Sequence, residues 1–404
     1  MKILFVSEQF PWPLDNGGAQ RTHRVLEGLA GPHEVTLVAH EPTTDRDTGL
    51  AALEQLCEVV TVAELSVWRR LVQNVPRSSS HAHSLWLNKN ASPTLLKRVL
   101  ELCADQAYDA VHFNMLDTAC FMLGREDRLP DKVIFDSHNC LSDLARQAAA
   151  NERNQLKRFV LDREARALAT IEQRIVERST LTLVCSEDER DQFLAMASQA
   201  CVKVVPNGAT AQAPIEASPP AESRSLAFVG AMDYAPNVEG AQWFCQHVWP
   251  GLRAAESDAR LYLVGRHPTR AVQALRELHG VEVTGTVNAV EPYLARASVV
   301  VVPLLSGSGT RLKIVSAMAS GRPVVSTTIG AAGLGLVDGE HLLIADRPRE
   351  FAEAIRRLWE DPDRASRIAA SAREVFEERF TWNAIQLQLL ECYDSLTAAV
   401  PMKT

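Results

Sequence analysis

The chain has 404 residues, more than one α/β core usually holds, since single cores rarely grow beyond about 250–300 residues. Its net charge of −8 argues against a broad electrostatic surface for nucleic acid, so no nucleic acid partner is expected. Eight cysteines are scattered without a CxxC or other metal-type spacing, which favours reduced core thiols in a cytoplasmic protein.

Short apolar runs alternate with helical patterns through the first half of the chain. Because the runs are nearly continuous in apolar residues, they indicate parallel strands that are buried on both faces. The predicted strands are 2–7, 34–39, 59–63, 109–113, 132–136, 181–185 and 202–205. Helical patterns include 18–30 and 92–106, and the charged, Ala-rich stretch 142–178 has few helix breakers and predicts one or two long helices.

Residues 207–224 interrupt this alternation. The stretch is rich in Pro, Ala and Ser and lacks periodicity, so it is interpreted as a linker. The alternation then restarts with predicted strands at 226–230, 260–264, 281–284, 298–303, 323–327 and 341–345. Helical patterns at 349–360, 363–378 and 382–398 close the chain.

Two successive runs of β-α repeats predict an α/β protein with two Rossmann-like, doubly wound parallel-sheet domains. We place the first domain at 1–206, the linker at 207–224 and the second domain at 225–380. Open sheets of this kind bind ligands at the carboxyl ends of their strands, so the two domains are expected to face each other across a ligand-binding cleft.

The first candidate motif is Asn16-Gly17-Gly18, between the first strand and the helix 18–30. Glycines there let a substrate approach the backbone, and the helix N-terminus offers N–H groups to an anion. Glycines are also common at such turns for structural reasons alone, and the dinucleotide fingerprint GxGxxG is absent. His138 follows the strand 132–136 at its carboxyl end, a functional position, although a polar capping role is the alternative.

The segment 306–313, SGSGTRLK, connects an apolar strand to a helix. A Gly/Ser loop that opens onto a helix N-terminus forms an anion cradle. Arg311 and Lys313 lie in the first turn, where positive charge is unfavourable against the helix dipole. A bound polyanion explains this placement; a solvated helix start is the alternative.

In their order and spacing these motifs resemble the family 4 retaining glycosyltransferases of the GT-B fold, over nearly the whole chain. The matching stretches in the first domain are NGGAQR at 16–21, DSHN at 136–139, CSEDER at 185–190 and VPNG at 205–208. Those in the second domain are FVGAMDYAPN at 228–237, LVGR at 263–266, VTGTV at 283–287 and GSGTRLKIVSAMASGRPVVST at 307–327.

The resemblance implies catalytic roles for three side chains. His138 would bond the sugar or steady the leaving phosphate, and Arg311 and Lys313 would clamp the diphosphate. Gly17 and Gly18 would contact the donor phosphate or sugar. The other implied substrate-binding residues are Arg21, Asn139, Asn207, Gly230, Met232, Asp233, Gly285, Thr286, Val287, Gly307, Ser308, Gly309, Thr310 and Ser316, of which the turn 285–287 would present backbone groups to the base.

The implied reaction moves a sugar, with retention, from a UDP- or GDP-sugar to a hydroxyl of a glycan, lipid-linked or small-molecule acceptor, as in polysaccharide biosynthesis. Retention would come from front-face attack, in which the departing phosphate oxygen takes the acceptor proton. The protein then supplies positioning and charge stabilisation, with no metal or other cofactor.

One position departs from the family pattern. The family usually carries two glutamates eight positions apart around this helix, and Ser308 and Ser316 stand there instead. The later glutamate normally bonds the nucleotide ribose, so Ser316 keeps a non-catalytic nucleotide- or carbohydrate-binding homologue open as an alternative. A nucleotide-sugar 2-epimerase on the same architecture is another.

The acceptor is expected on the first domain and to be bulky or membrane-associated, with the irregular segment 76–90 contributing. Trp86 among polar residues suits stacking on a sugar or covering a lipid-linked one, unless it simply packs into the core. His81 and His83 alone are weak grounds for a metal site. Since no apolar run approaches the ~20 residues of a membrane span, we expect a cytoplasmic protein, with peripheral contact at the inner membrane face left open.

The last helix should begin near Thr381, a predicted N-cap followed by the apolar anchor Trp382. Members of the family commonly return this helix to the first domain. Residues 381–404 are therefore expected to cross back.

Overall fold

The computed structural model describes residues 1–14, 17–42, 45–64, 84–152, 154–210, 224–307 and 311–398. The chain divides into two compact units, Met1–Asn207 with Ile385–Thr404 and Gly208–Ala384. The division falls at the start of the predicted linker, where Ala209 forms a parallel bridge with Thr381 inside the second unit. Residues 211–223 of that linker lie outside the described residues.

The first unit is built on a parallel sheet of seven strands in the order β3-β2-β1-β4-β5-β6-β7. The strands are β1 (Lys2–Ser7), β2 (Glu34–His40), β3 (Glu58–Val62), β4 (Ala110–Asn114), β5 (Lys132–Asp136), β6 (Leu181–Val184) and β7 (Val202–Val204). The strand order reverses between β1 and β4. This switch point at the carboxyl edge is where open α/β sheets bind their ligands.

Helices cover the first sheet, and several begin at polar side chains that cap their free N–H groups. Ser92, for example, accepts from the N–H of Leu95, and Ser186 accepts from that of Glu189. The predicted helical stretch 142–178 forms two helices. The helices are Gly17–Ala30, Arg46–Glu54, Leu85–Asn90, Pro93–Asp105, Leu116–Ala119, Leu141–Asn151, Gln155–Arg178 and Glu187–Met196.

The second unit contains a parallel sheet of six strands in the order β10-β9-β8-β11-β12-β13. These strands are β8 (Ser225–Val229), β9 (Arg260–Val264), β10 (Val281–Gly285), β11 (Val299–Val302), β12 (Val324–Ser326) and β13 (Leu343–Ile344). The switch point lies between β8 and β11. Gly230 after β8 and residues 303–307 after β11 therefore flank it.

The second unit carries a similar set of helices. They are Ala235–Trp243, Trp249–Ala255, Arg270–Ala274, Glu291–Arg296, Leu312–Ala319, Thr328–Ala331, Pro348–Glu360 and Pro362–Arg379, with a π-helical turn at Phe244–Val248. The final helix, Trp382–Ala398, is capped by the Thr381 hydroxyl, which accepts from the N–H of Ala384 at 3.3 Å. From Ile385 onward this helix belongs to the first unit, where Gln386 donates to the carbonyl of Arg24.

Each unit has its own hydrophobic core, formed by the buried strands and the helix faces that cover them. Strand β11, for example, is four consecutive buried valines. These strands hold the loops at their carboxyl ends in place. Within the described ranges, no helix is both long enough and apolar enough to cross a membrane.

Candidate active site

Three polar residues end neighbouring strands of the first sheet. Ser7 ends β1, Asn114 ends β4 and Asp136 ends β5, and the strand register places Ser7 beside Asn114 and Asn114 beside Asp136. All three are buried. Buried polar side chains need hydrogen-bond partners, and these three residues find theirs at the switch point of this unit.

His138, two residues beyond β5, is held by this polar row. Its Nε2 lies 2.9 Å from Asn114 Oδ1, while the Asn114 amide nitrogen donates to the hydroxyls of Ser7 and Thr22. Since Asn114 Oδ1 is the acceptor, Nε2 carries the ring proton and Nδ1 is the acceptor nitrogen of His138. Burial lowers the pKa of His138 to about 4, so the ring is neutral near pH 7.

Arg21 forms a buried ion pair with Asp136, with 2.6 Å between Nη2 and Oδ1. Its Nη1 donates to the carbonyl of Val205 and to Asn207 Oδ1. Although burial opposes both charges, each partner favours the other: the pKa of Arg21 is raised and that of Asp136 lies well below its usual range. Arg21 is 1% exposed, and its ion pair ties the first helix to β5 and residues 205–207, while the substrate contact expected of it stays a prediction.

A second histidine extends the network to the last helix. His112, fully buried in β4, lies with Nε2 3.7 Å from Asp136 Oδ2, and its Nδ1 is 2.5 Å from the hydroxyl of Tyr393. Burial lowers the pKa of His112, so it too is neutral. If Tyr393 donates to Nδ1, the Nε2 proton faces the Asp136 carboxylate, which also lies 3.8 Å from His138. The C-terminal helix thereby takes part in holding the site.

The remaining predicted residues of the first unit lie around this network. Gly17 and Gly18 begin the first helix, and the Gly18 carbonyl accepts from the Thr22 hydroxyl at 2.9 Å. Asn139 is half-buried, and its carbonyl accepts from Ser137. The structure thus brings Gly18, His138 and Asn207 to one edge of the sheet through Thr22, Asn114 and Arg21.

In the second unit, Arg311 immediately precedes the helix Leu312–Ala319 and is 6% exposed. Its Nε donates to the carbonyl of Ile329 at 3.2 Å and its Nη2 to that of Gly307 at 2.8 Å. Gly307 has φ 118°, a conformation that side-chain-bearing residues rarely adopt. Arg311 therefore fixes the start of the Gly/Ser loop.

Lys313 lies two residues further, in the first turn of the same helix, and is half-buried. Burial lowers its pKa to about 8, and the positive charge of Arg311 adds to the shift. Within the part of the chain that the structure describes, no carboxylate pairs with the Lys313 ammonium. Among the described residues, its charged neighbour is therefore a second cation, Arg311, and the ammonium is partly desolvated.

The backbone after β8 and the backbone after β9 approach each other closely. A Cβ on Gly265 would lie 1.7 Å from the carbonyl oxygen of Gly230, so position 265 must be glycine. The buried amide of Asn237 fills the space beside Gly230. Of the neighbouring predicted residues, Asp233 is exposed, whereas the side chain of Met232 is fully buried in the core and offers a ligand only its backbone.

The turn predicted to face the base begins at Gly285, the last residue of β10, which has φ 72°. Thr286 is exposed and Val287 half-buried. Ser316 lies one turn after Lys313 on the helix Leu312–Ala319, and its carbonyl accepts from the Ser320 hydroxyl. The predicted residues Ser308, Gly309 and Thr310, like Asn16 of the first motif, lie outside the described residues.

Several residues of the first network were not predicted as site residues: Ser7, Thr22, His112, Asn114, Asp136 and Tyr393. For His112 and Asn114 the sequence held a signal, because both are polar residues within or ending an otherwise apolar strand. Tyr393 carried none, since its partner is 281 positions away.

Both halves of the chain match models of known families. Residues 16–208 match the glycosyl transferase 4-like domain, and residues 223–361 match the glycosyl transferases group 1. An uncharacterized 44.6 kDa protein in the cps region of Klebsiella pneumoniae is 22% identical over 398 residues, covering 94% of this chain and 96% of its relative.

Solved structures share the fold over essentially the whole chain. Sucrose-phosphate synthase from Thermosynechococcus elongatus superimposes with a TM-score of 0.71 at 19% identity, covering 99% of this chain and 100% of its own. HepE from Anabaena, in complex with UDP, gives a TM-score of 0.67 at 17% identity, with coverage of 98% and 100%.

Two parallel-sheet α/β units of seven and six strands, with these neighbours, define the GT-B fold of glycosyltransferases. The two matching family models identify the family as well as the fold. The chain belongs to the group 1, family 4 glycosyltransferases, and is a glycosyltransferase of class EC 2.4.

Proposed function

We propose that this glycosyltransferase transfers a sugar from a UDP-sugar, with retention of anomeric configuration, to a hydroxyl of a glycan, lipid-linked or small-molecule acceptor. The second unit binds the donor diphosphate and the first unit binds hydroxyl groups. No metal or cofactor takes part in this scheme.

The observation that carries the donor assignment is Lys313. A half-buried ammonium with a lowered pKa, beside a second cation at a helix N-terminus, is unfavourable until an anion arrives. A diphosphate would supply the missing counter-charge and also accept from the helix N–H groups. Arg311 supports this site by donating to the carbonyl of Gly307, the residue of the Gly/Ser loop that precedes positions 308–310.

The first unit suits hydroxyl recognition. His138 is neutral, and Asn114 fixes its tautomer, which leaves Nδ1 to accept a hydrogen bond from a sugar hydroxyl. Because the ring stays neutral, it adds no charge to the reaction. The charge that develops on the leaving phosphate is then stabilised by the cations of the second unit, and the departing phosphate oxygen takes the acceptor proton.

UDP is proposed ahead of GDP because structures of HepE, which share this fold, contain UDP and UDP-glucose. The turn 285–287 would offer its backbone groups to the uracil ring. Ser316, with its short uncharged side chain, would hold the ribose more weakly than the usual glutamate does.

Thermal unfolding in the presence of nucleotides and nucleotide sugars tests the donor assignment. A ligand at 100 times its dissociation constant stabilises the folded state by about 2.7 kcal/mol. UDP and UDP-sugars should raise the melting temperature of the wild type and of Lys97→Ala, whose lysine is exposed and remote in sequence, but not of Lys313→Ala. An equal response of Lys313→Ala to UDP would refute the diphosphate site.

Retention is tested separately, by the anomeric configuration of the product. Proton NMR of a newly formed glycoside should show the same configuration as the donor. An inverted product would exclude the front-face mechanism while leaving the donor site intact.

Ser316 favours one second candidate, a nucleotide-sugar-binding homologue without transferase activity. Such a protein would bind UDP-sugars in the thermal assay but show no turnover with any acceptor. In that case Ser316→Glu should tighten nucleotide binding. Product analysis without acceptor would also reveal a 2-epimerase, which converts the donor sugar itself.

A further inference from the structure

The paired helices Leu141–Asn151 and Gln155–Arg178 in the first unit end in an exposed apolar tip. Every residue from 154 to 160 is exposed. Three of them are large and apolar: Leu156 is 74% exposed, Phe159 61% and Val160 41%. Scattered exposed apolar residues are normal, but three within two turns of one helix mark an interaction surface.

The apolar residues lie on one side of the helix. Phe159 and Val160 are three and four residues after Leu156, so the three apolar side chains share a face, and the basic Arg163 follows one turn later. The residues that pack into the core of this unit, such as Leu168 and Ile171, come later in the helix. The first two turns therefore present an apolar stripe that the unit's own core does not use.

Basic residues surround the stripe. Lys157, Arg158, Arg163 and Arg166 are all exposed. Of the acidic residues nearby, Glu152 accepts from the N–H of Asn154, Asp162 lies 3.9 Å from Arg158, and Glu164 is buried and used internally. The tip is therefore locally positive in a chain whose net charge is −8.

Glu164 also connects the tip to the segment 84–90. Its carboxylate accepts from the Ser84 hydroxyl at 2.6 Å and from the N–H groups of Leu85 and Trp86. Trp86 packs against the core of the unit, whereas Leu85 is 55% exposed. Val160 is one turn before Glu164 on the same helix, so the backbone of Leu85 is anchored one turn from the apolar stripe.

We propose that this tip, residues 154–166 with Leu85, docks on the anionic surface of a lipid bilayer. Apolar side chains flanked by Lys and Arg are the pattern of helices that lie in a membrane interface, with the apolar groups inserted and the cations at the headgroups. The docking surface lies in the first unit, whereas the proposed donor site lies in the second. Its use, to bring the first unit to a lipid-linked acceptor, rests on the proposed function.

Charge distinguishes the bilayer from a second copy of the chain. In a two-fold contact the same patch meets itself, so Lys157 and Arg163 of one copy would approach those of the other. Such like-charge juxtaposition is unfavourable, whereas phosphatidylglycerol headgroups are complementary to the patch.

Vesicle co-sedimentation of the full chain tests the proposal. Wild type should bind mixed phosphatidylglycerol and phosphatidylcholine vesicles, bind phosphatidylcholine alone weakly, and be released by salt. The double variant Leu156→Ser/Phe159→Ser should bind at least about tenfold less, since both side chains lose their burial in lipid. Lys157→Gln and Arg163→Gln should each weaken binding about fivefold.

Two surface variants serve as matched controls. Leu387→Ser removes a leucine that is 64% exposed on the final helix, and Lys97→Gln removes an exposed charge outside the tip. Both should bind vesicles like the wild type. All variants should keep the wild-type response to UDP, so a failure of the donor assignment would be seen separately.

Three results would overturn the proposal. These are equal binding to neutral and anionic vesicles, unchanged binding by the Leu156→Ser/Phe159→Ser variant, and a wild-type dimer in sedimentation velocity that this variant converts to monomer. The last result would assign the tip to a second copy of the chain.

Discussion

Each unit has a cation at the carboxyl edge of its sheet. In the first unit the cation is paired with a carboxylate, whereas in the second it lies beside another cation. In the first unit Arg21 is paired with Asp136 at 2.6 Å and bonded to backbone and amide oxygens of residues 205–207. In the second unit Lys313 has a like-charged neighbour, Arg311, and its pKa is lowered to about 8.

This difference separates a cation that builds the site from one that is available to a ligand. A buried charge that is already neutralised gains little from a bound anion, whereas an uncompensated one gains much. Arg21 and Lys313 were both predicted from sequence to bind substrate. The lowered pKa of Lys313 is consistent with our proposal that it binds the donor diphosphate, whereas Arg21 is already paired with Asp136.

The largest expected effect is on stability, from breaking the Arg21–Asp136 pair. Arg21→Ala or Asp136→Asn leaves one buried charge uncompensated and should reduce the free energy of unfolding by about 3–5 kcal/mol. Urea unfolding measures this directly. The double replacement Arg21→Met/Asp136→Leu should lose less than either single variant, and a larger loss would contradict a purely structural role.

The next largest effect is on turnover, from removing Lys313. Lys313→Ala should lower kcat/KM by about 10²–10³-fold, as the loss of other transition-state charge stabilisers does. Its unfolding free energy should not fall, because a partly desolvated charge is removed. Arg311→Ala should lose activity and also stability, since the carbonyls of Gly307 and Ile329 each lose a hydrogen bond. Near-normal activity and nucleotide affinity in both variants would show that the clamp is misassigned.

A third effect concerns His138 and acid. Its pKa in the folded protein is about 4 against 6.5 for the free side chain, so between these values the unfolded chain binds the proton and the folded protein does not. Stability contributed by neutral His138 is therefore complete above pH 6.5 and falls by roughly 3 kcal/mol as the pH drops to 4. Comparing urea unfolding of wild type and His138→Gln over this range measures it. The exposed His247, replaced by Gln, is the control, and the same acid dependence in His138→Gln would contradict the assignment.

The smallest effect is the pH dependence of donor binding. Since Lys313 loses its proton above about pH 8, UDP affinity should fall by up to about tenfold per pH unit above that value, until the pKa of the bound state is reached. Lys313→Arg stays charged, so its profile should be flat. Isothermal titration at pH 7 and pH 9 distinguishes the two. A flat profile for the wild type would mean that the diphosphate does not bind at Lys313.

The strands were predictable because their signal is local. Each of the thirteen predicted runs corresponds to one strand of the structure, with ends that differ by a few residues at most, as between 341–345 and Leu343–Ile344. Buried parallel strands need continuous apolar sequence, so they can be recognised from the sequence alone. The Gly/Ser loop and His138 could be singled out for a related reason, because each comes shortly after such a strand, and their roles stay predictions.

The partners of these residues were not predictable in the same way. The resemblance in sequence predicted that Arg21 binds substrate, whereas in the structure its guanidinium is paired with Asp136, 115 positions away. For Trp86 the sequence allowed both an acceptor contact and a position in the core. Its packing against the first core follows from the anchoring of residues 84–86 by Glu164.

By itself, the sequence determined the two α/β domains, the strands and the positions where polar residues leave them, because strand burial and helix starts depend on residues close together in the chain. Only the tertiary structure decided which cations are neutralised, which histidine tautomer is present and how Tyr393 reaches His112. Those properties depend on burial and on charges brought together across more than a hundred residues, and desolvation and Coulomb energies act through space rather than along the chain.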